Sequence, residues 1–324
     1  MLYTIDRVQF AHTNQKYYFF EFMEVTDINM LTIDNQLPTQ QQFWERLFNM
    51  ISEVEQKKVN FLLSFQHAIR VFIFYQRDLN KYIRIELDPF VSKTIGAILN
   101  FSQLQQWFRG LNNIDGQSNS KGLGAARDAN IDSYVNGLLK SLYNNDQFQD
   151  DNGLILTKDL LNGDSTKGFD LDLFQFVPST NEYIVYEFLK RENQYINNIK
   201  AHPMRYSWTN RWNDNKQKYI SLWNISQHLG GRLILVNYSD NLNEKVSLIE
   251  VKGLDINKGI TAETKYCMSR HVFLGWLHDM NHYSSKNNDY FSDFKKAEYD
   301  ESFFDNFSEN KKQKYGAEFS NIFI

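Results

Sequence analysis

The segment 168–190, GFDLDLFQFVPSTNEYIVYEFLK, sets two aspartates in one strand-like run and ends a second such run with a glutamate and a lysine. Charges inside apolar runs are costly to bury without a partner, so this stretch constrains the fold more than any other. In 169–177 the period-two alternation of a strand puts Asp170 and Asp172 on one face. Pro178 and Asn181 mark a turn, and 183–189 returns as the partner strand. Carboxylates on adjacent strands with a lysine beside them can hold a divalent cation and activate a water.

The elements around this hairpin follow from hydrophobic period and breakers. Residues 3–10 and 16–25 alternate and read as a hairpin; Phe43, Leu47, Ile51 and Val54 space a helix over 39–56. Residues 58–86 read as strands, including 68–75 and 81–87, and 90–112 has helical spacing, which makes 1–112 an N-terminal α+β unit. The polar, glycine-rich 112–127 marks a boundary. Its Gly122 and Gly124 lack the third glycine and preceding strand of a phosphate loop. An apolar stripe predicts a helix over 125–143. After the acidic hairpin, 215–229 reads as a helix ended by Gly230 and Gly231, then 232–238 as a buried strand, 246–251 as another strand, and 262–283 as a long helix.

The order helix, strand, strand, helix, strand, strand, helix, with the Asp-Leu of FDLDLF and the acid and lysine of YEFLK, resembles the PD-(D/E)XK nuclease superfamily, the fold of many type II restriction endonucleases. The resemblance implies a nuclease core over 125–283: an α/β (α+β), restriction-endonuclease-like core of a central mixed sheet flanked by helices, joined to the N-terminal unit and a peripheral segment 284–324. It further implies Mg²⁺ bound by Asp172 and Glu187, with Asp170 supporting them from behind or serving as an alternate ligand, and Lys190 activating water. Double-stranded DNA would be the substrate, with type II restriction or phage defence as the setting and a homodimer as the working form. A non-catalytic nucleic-acid-binding protein of the same fold and an RNA-directed nuclease are the alternatives.

One spacing departs from the family pattern. Glu187 and Lys190 are three residues apart rather than two, so an unbroken strand would turn them to opposite faces. A β-bulge at Phe188 or Leu189 would bring them together. The other arrangements are a Lys190–Glu192 pair, or a lysine from the following helix, Lys216 or Lys218.

Net charge is −4, with a pI near 6.0, but 190–218 is locally basic. There Arg191, Lys200, Arg205, Arg211, Lys216 and Lys218 are interleaved with aromatics, a mixture suited to phosphates and stacked bases. His278 and His282 share a helical face, but the glutamate of a zinc-protease signature is missing, and a third ligand is not evident. A single cysteine, Cys267, excludes an internal disulfide and suits a reducing compartment. The start of the chain is not signal-like and 59–75 is interrupted by Gln66, His67 and Arg70, so the expectation is a cytoplasmic protein with no membrane segment.

Overall fold

A computed structural model of the 324-residue chain describes residues 2–11, 14–76, 78–112, 152–161, 168–177, 181–190, 213–239, 241, 245–256, 259–269 and 273. Among them the chain is α+β, with ten strands in mixed pairing and five α-helices. It divides into two compact units: residues 5–131 with 149–170, and residues 1–4 with 132–148 and 171–324.

In the N-terminal unit, β1 (Leu2–Ala11) and β2 (Lys16–Glu24) form the expected antiparallel hairpin, with Arg7 opposite Phe20. The chain then crosses over through α1 (Gln40–Phe48) and α2 (Glu53–Ser64), returning as β3 (Ile69–Tyr75) parallel to β2. A crossover is what a parallel pair requires. Strands β4 (Tyr82–Asp88) and β5 (Lys93–Leu99) extend the sheet antiparallel, and α3 (Phe101–Asn112) and α4 (Asn152–Leu161) follow. The sheet is packed on both faces. One carries Phe20, Phe22, Val71 and Ile73 against Leu104, Phe108, Leu156 and Leu160. On the other, Phe43 and Trp44 of α1 meet Phe72 and Phe74 edge to face.

The C-terminal unit repeats this plan. Strands β6 (Phe169–Val177) and β7 (Glu182–Lys190) form an antiparallel hairpin, α5 (Asn213–His228) crosses over, and β8 (Arg232–Tyr238) runs parallel to β7. Then β9 (Val246–Asp255) and β10 (Gly259–Met268) continue antiparallel. The registers correspond as well: Phe20 faces Val71 and Ile73 faces Arg84, as Tyr186 faces Ile234 and Val236 faces Leu248. Helix α5 stops as the glycine pair predicts. Gly230 takes φ 61°, its N–H donates to Gln227, and the N–H of Gly231 reaches back to Ser226, which is a Schellman cap.

Four sequence expectations need correction. Residues 259–268 are strand rather than the start of a long helix, because β9 offers an edge that Thr264 and Tyr266 pair with well. Residues 93–99 are strand for the same reason, paired along β4, and the helix begins only at Phe101. The single helix over 39–56 is two helices, each opened by its own capping box, Thr39 with Gln42 and Ser52 with Glu55. That second helix takes 58–64 out of the strand reading. The helix expected over 125–143, the boundary segment 113–127 and the peripheral segment 284–324 lie outside the described residues.

A Cβ added to Gly231 would collide with the backbone carbonyl of Tyr183, whereas one added to Gly110 meets nothing within 4 Å. Gly231→Ala should therefore cost about 1–3 kcal/mol, and Gly110→Ala, inside α3, should gain about 0.5–1 kcal/mol. Urea unfolding midpoints of the two variants measured side by side check both signs.

Candidate functional site

The antiparallel ladder between β6 and β7 runs from Val177–Glu182 to Leu173–Tyr186 and stops there. The next two opposed positions are Asp172 and Glu187, whose side chains therefore fall on one face. Asp172 Oδ2 accepts the backbone N–H of Phe188 at 2.6 Å, so a carboxylate takes over where the ladder ends. Glu187 is only 3% exposed. Its Oε1 lies 2.7 Å from Nζ of Lys218, the sixth residue of the crossover helix α5. A carboxylate this deep in a strand needs a cation, and the crossover helix is the element that supplies it.

The predicted site residues separate on this geometry. Asp172 and Glu187 occupy opposed positions just past the end of the ladder, and Glu187 pairs with Lys218. The bulge that would have turned Lys190 toward them is not there: β7 pairs with β8 in unbroken register from Ile184 to Lys190. Strand alternation then sends Lys190 to the opposite face from Glu187. Asp170 falls in the same unit as Arg7 and Asp6; it is exposed, and its charge bears on both. Arg191, Lys200, Arg205 and Arg211 lie outside the described residues, as do Glu192 and the histidines at 271, 278 and 282. Lys216 is in α5, but its side chain, like that of Cys267, is outside the description. Among the described residues no group of three His, Cys, Asp or Glu side chains is placed to hold a metal ion.

The same trio occurs a second time, and the sequence reading missed it. Asp6 and Glu21 are the first opposed positions beyond the last β1–β2 pair, Arg7–Phe20. Asp6 Oδ2 accepts the N–H of Phe22 at 2.7 Å, and Glu21, 5% exposed, lies 2.6 Å from Nζ of Lys58. Lys58 is the sixth residue of α2, as Lys218 is of α5. The signal was legible as a repeat at a spacing of 166 residues (172 − 6). Asp6, Gln9, Phe10, Tyr17, Glu21 and Phe22 recur as Asp172, Gln175, Phe176, Tyr183, Glu187 and Phe188. The turns match too: Gln15 and Asn181 have φ 57° and 55°.

Two further polar groupings are structural. Arg7 is buried, its guanidinium 5.0 Å from the centre of the Phe108 ring and bonded to Gln9 Oε1. Burial lowers its pKa to about 9, with Asp170 acting in the opposite sense. On the C-terminal sheet, Glu250 binds Lys252 at 2.5 Å and accepts from the hydroxyl of Tyr266 at 3.3 Å. Arg232 Nη1 lies 3.5 Å from Glu250 and also pairs with Glu182. Because Glu250 sits opposite Ile234, which itself sits opposite Tyr186, this network is on the face away from Glu187.

Burial raises the pKa of the Asp6 carboxyl, with Lys58 and the Phe22 N–H pulling it down and Asp170 adding to the rise. A carboxyl raised in the folded state contributes stability below its ordinary pKa, and that contribution is lost as pH climbs through the folded pKa. Asp6→Asn, which keeps an oxygen for Phe22 N–H, should therefore gain on the native protein as pH rises from 4 to 7. Thermal melts across that range check the crossing, and parallel curves would remove the assignment. Replacing Lys218 by Met removes the ammonium 2.7 Å from the buried Glu187 carboxylate and should destabilise by about 3–5 kcal/mol, read by chemical denaturation.

The chain matches no family model, no curated protein and no solved structure.

Proposed function

We propose that the C-terminal unit is a Mg²⁺-dependent endonuclease centre in which Asp172 and Glu187 hold the cation and Lys218, rather than Lys190, is the lysine of the site. The observation that carries this reading is a carboxylate at opposed positions of two adjacent strands, one of them 2.7 Å from a lysine ammonium. Its donors suit the ion: Mg²⁺ takes one or two carboxylates and keeps several waters, so a third acid is not required. Bound there, Mg²⁺ would polarise the phosphodiester and lower the pKa of an attacking water.

The chain's own residues then have separable tasks. Asp172 is fixed by the Phe188 N–H, which donates to one of its carboxylate oxygens. Glu187 is held in a buried strand, so its carboxylate is preorganised and sheltered from bulk water. The Lys218 side chain is 37% exposed and reaches the site from the helix side. Its ammonium can move from Glu187 to the phosphate and stabilise the extra negative charge of the pentavalent transition state.

The resemblance to the PD-(D/E)XK superfamily supports the same reading through topology: an acid on each strand of a hairpin, a crossover helix, then a parallel strand. On this reading DNA is gripped by the basic stretch of Arg191, Lys200, Arg205, Arg211 and Lys216, in a restriction or phage-defence nuclease acting in the cytoplasm as a homodimer. No helix among the described residues is long and apolar enough to cross a membrane. The recurrence of the trio in the N-terminal unit favours a second reading, in which the trio is a brace for the crossover helix and the protein binds nucleic acid without cutting it.

Supercoiled plasmid incubated with Mg²⁺ or with EDTA separates the two. The nuclease reading expects metal-dependent nicking that falls more than about a hundredfold in Asp172→Asn and Lys218→Met and stays within about twofold in Lys190→Met, since removing a charge-stabilising group costs on the order of 10²–10³ in rate. Absence of cleavage by the native chain on both DNA and RNA, with unchanged nucleic-acid affinity in Asp172→Asn, would leave the binding protein as the account.

A further inference from the structure

Among the described strands, β10 and β5 are edges, and they are finished differently. Strand β10 is guarded: its pairing with β9 shifts register on either side of Ala262, and Glu263 and Lys265 bring charge to it. Strand β5 has neither device. It pairs with β4 in unbroken register from Lys93 to Leu99, no described strand pairs with its outer side, and none of its seven residues is buried. Lys93, at the first position, is its one charge, and TIGAIL follows without a proline. In an antiparallel pair, alternate backbone N–H and C=O groups of an edge strand point outward, so β5 offers a ready ladder to a further strand.

We propose that this ladder is the seam of a homodimer, in which β5 pairs antiparallel with β5 of a second copy about a two-fold axis at Gly96. The strand is complementary to itself in that register. Gly96 meets the partner's Gly96, Ile95 faces the partner's Ala97, Thr94 faces the partner's Ile98, and Lys93 faces the partner's Leu99, so a large side chain meets a small one and no like charges oppose. The Gly96 position suits a crowded axis: a Cβ there would lie 2.5 Å from Leu37 Cδ1, which already covers it. A half-open cavity of about 260 Å³ lies along the same edge, between Leu37, Pro38, Phe43 and Trp44 on one side and Thr94 and Gly96 on the other. Thr94, Gly96 and Ile98 share one strand face, so the partner's Ile98, arriving opposite Thr94, comes over this cavity and gives it an apolar occupant. Phe90 and Val91 of the β4–β5 turn are 52% and 61% exposed. The same register carries them past the end of the partner's β5, toward the partner's Leu99 and Phe101, residues only partly buried within their own subunit. The seam goes beyond the nuclease reading and uses none of Asp172, Glu187 or Lys218, so neither proposal depends on the other.

Sedimentation velocity of the full-length protein over a range of concentrations, followed by disulfide trapping, tests the seam. The expected result is a dimer whose dissociation constant rises by at least about tenfold in Ile98→Ala and in Val91→Asp, since a charge brought into an apolar contact is costly. Val91 is exposed, so its variant keeps the test available if Ile98→Ala does not fold. The register is read in a Cys267→Ser background by mixing Ile95→Cys protein with Ala97→Cys protein under mild oxidation. The mixture should give a covalent dimer in several-fold higher yield than either variant alone, because the pairing sets residue 95 opposite residue 97. A monomer at every concentration, a dimer that Val91→Asp leaves unchanged, or a mixture that cross-links no better than its components overturns the proposal.

Discussion

A glutamate buried in the middle of a sheet cannot stay ionised without a cation close by, and this chain solves that problem identically in both units. Glu21 and Glu187 sit in the strand just before the crossover, and each is met by a lysine one and a half turns into the crossover helix. Breaking such a pair by removing the lysine would strand a charge in the interior. The ion pair thereby ties the helix to the strand on which it packs, at a fixed rotation about its own axis.

The aspartate completes the constraint. By accepting the N–H of the residue after the glutamate, Asp6 and Asp172 end the hairpin ladder at the same step in both units. The strands are released there with their backbone groups still partnered, as buried amides require. Each ladder thus ends in a carboxylate on one strand and a carboxylate–ammonium pair on the next. That is a brace in mechanical terms, tying strand end to crossover helix in both units.

Much of this was legible in the sequence. The hairpin 169–190 was readable because Pro178 and Asn181 interrupt two clean apolar runs, and β8 because Gly230 and Gly231 close the helix before it. The strands β5 and β10 were not, since their residues are ambiguous locally and the neighbouring strand edge decides. Lys218 stands 31 residues beyond Glu187 (218 − 187), so no local spacing could reveal the pair; only the fold brings them together. Glu187 and Lys190 looked like partners because they are near in sequence, but strand alternation separates them. The N-terminal trio was visible only by comparing the chain with itself, where the acids, Gln9, Phe10, Tyr17 and Phe22 recur in order.

On the proposed nuclease reading, Asp172 and Glu187 share a metal ion once Lys218 gives way. A crystal soaked in Mn²⁺ and measured at the manganese absorption edge tests it directly. The expected result is an anomalous peak at bonding distance from both carboxylates, with the Lys218 ammonium withdrawn from Glu187. An intact Lys218–Glu187 contact with no peak beside Asp172 would contradict it and leave the trio as a brace alone.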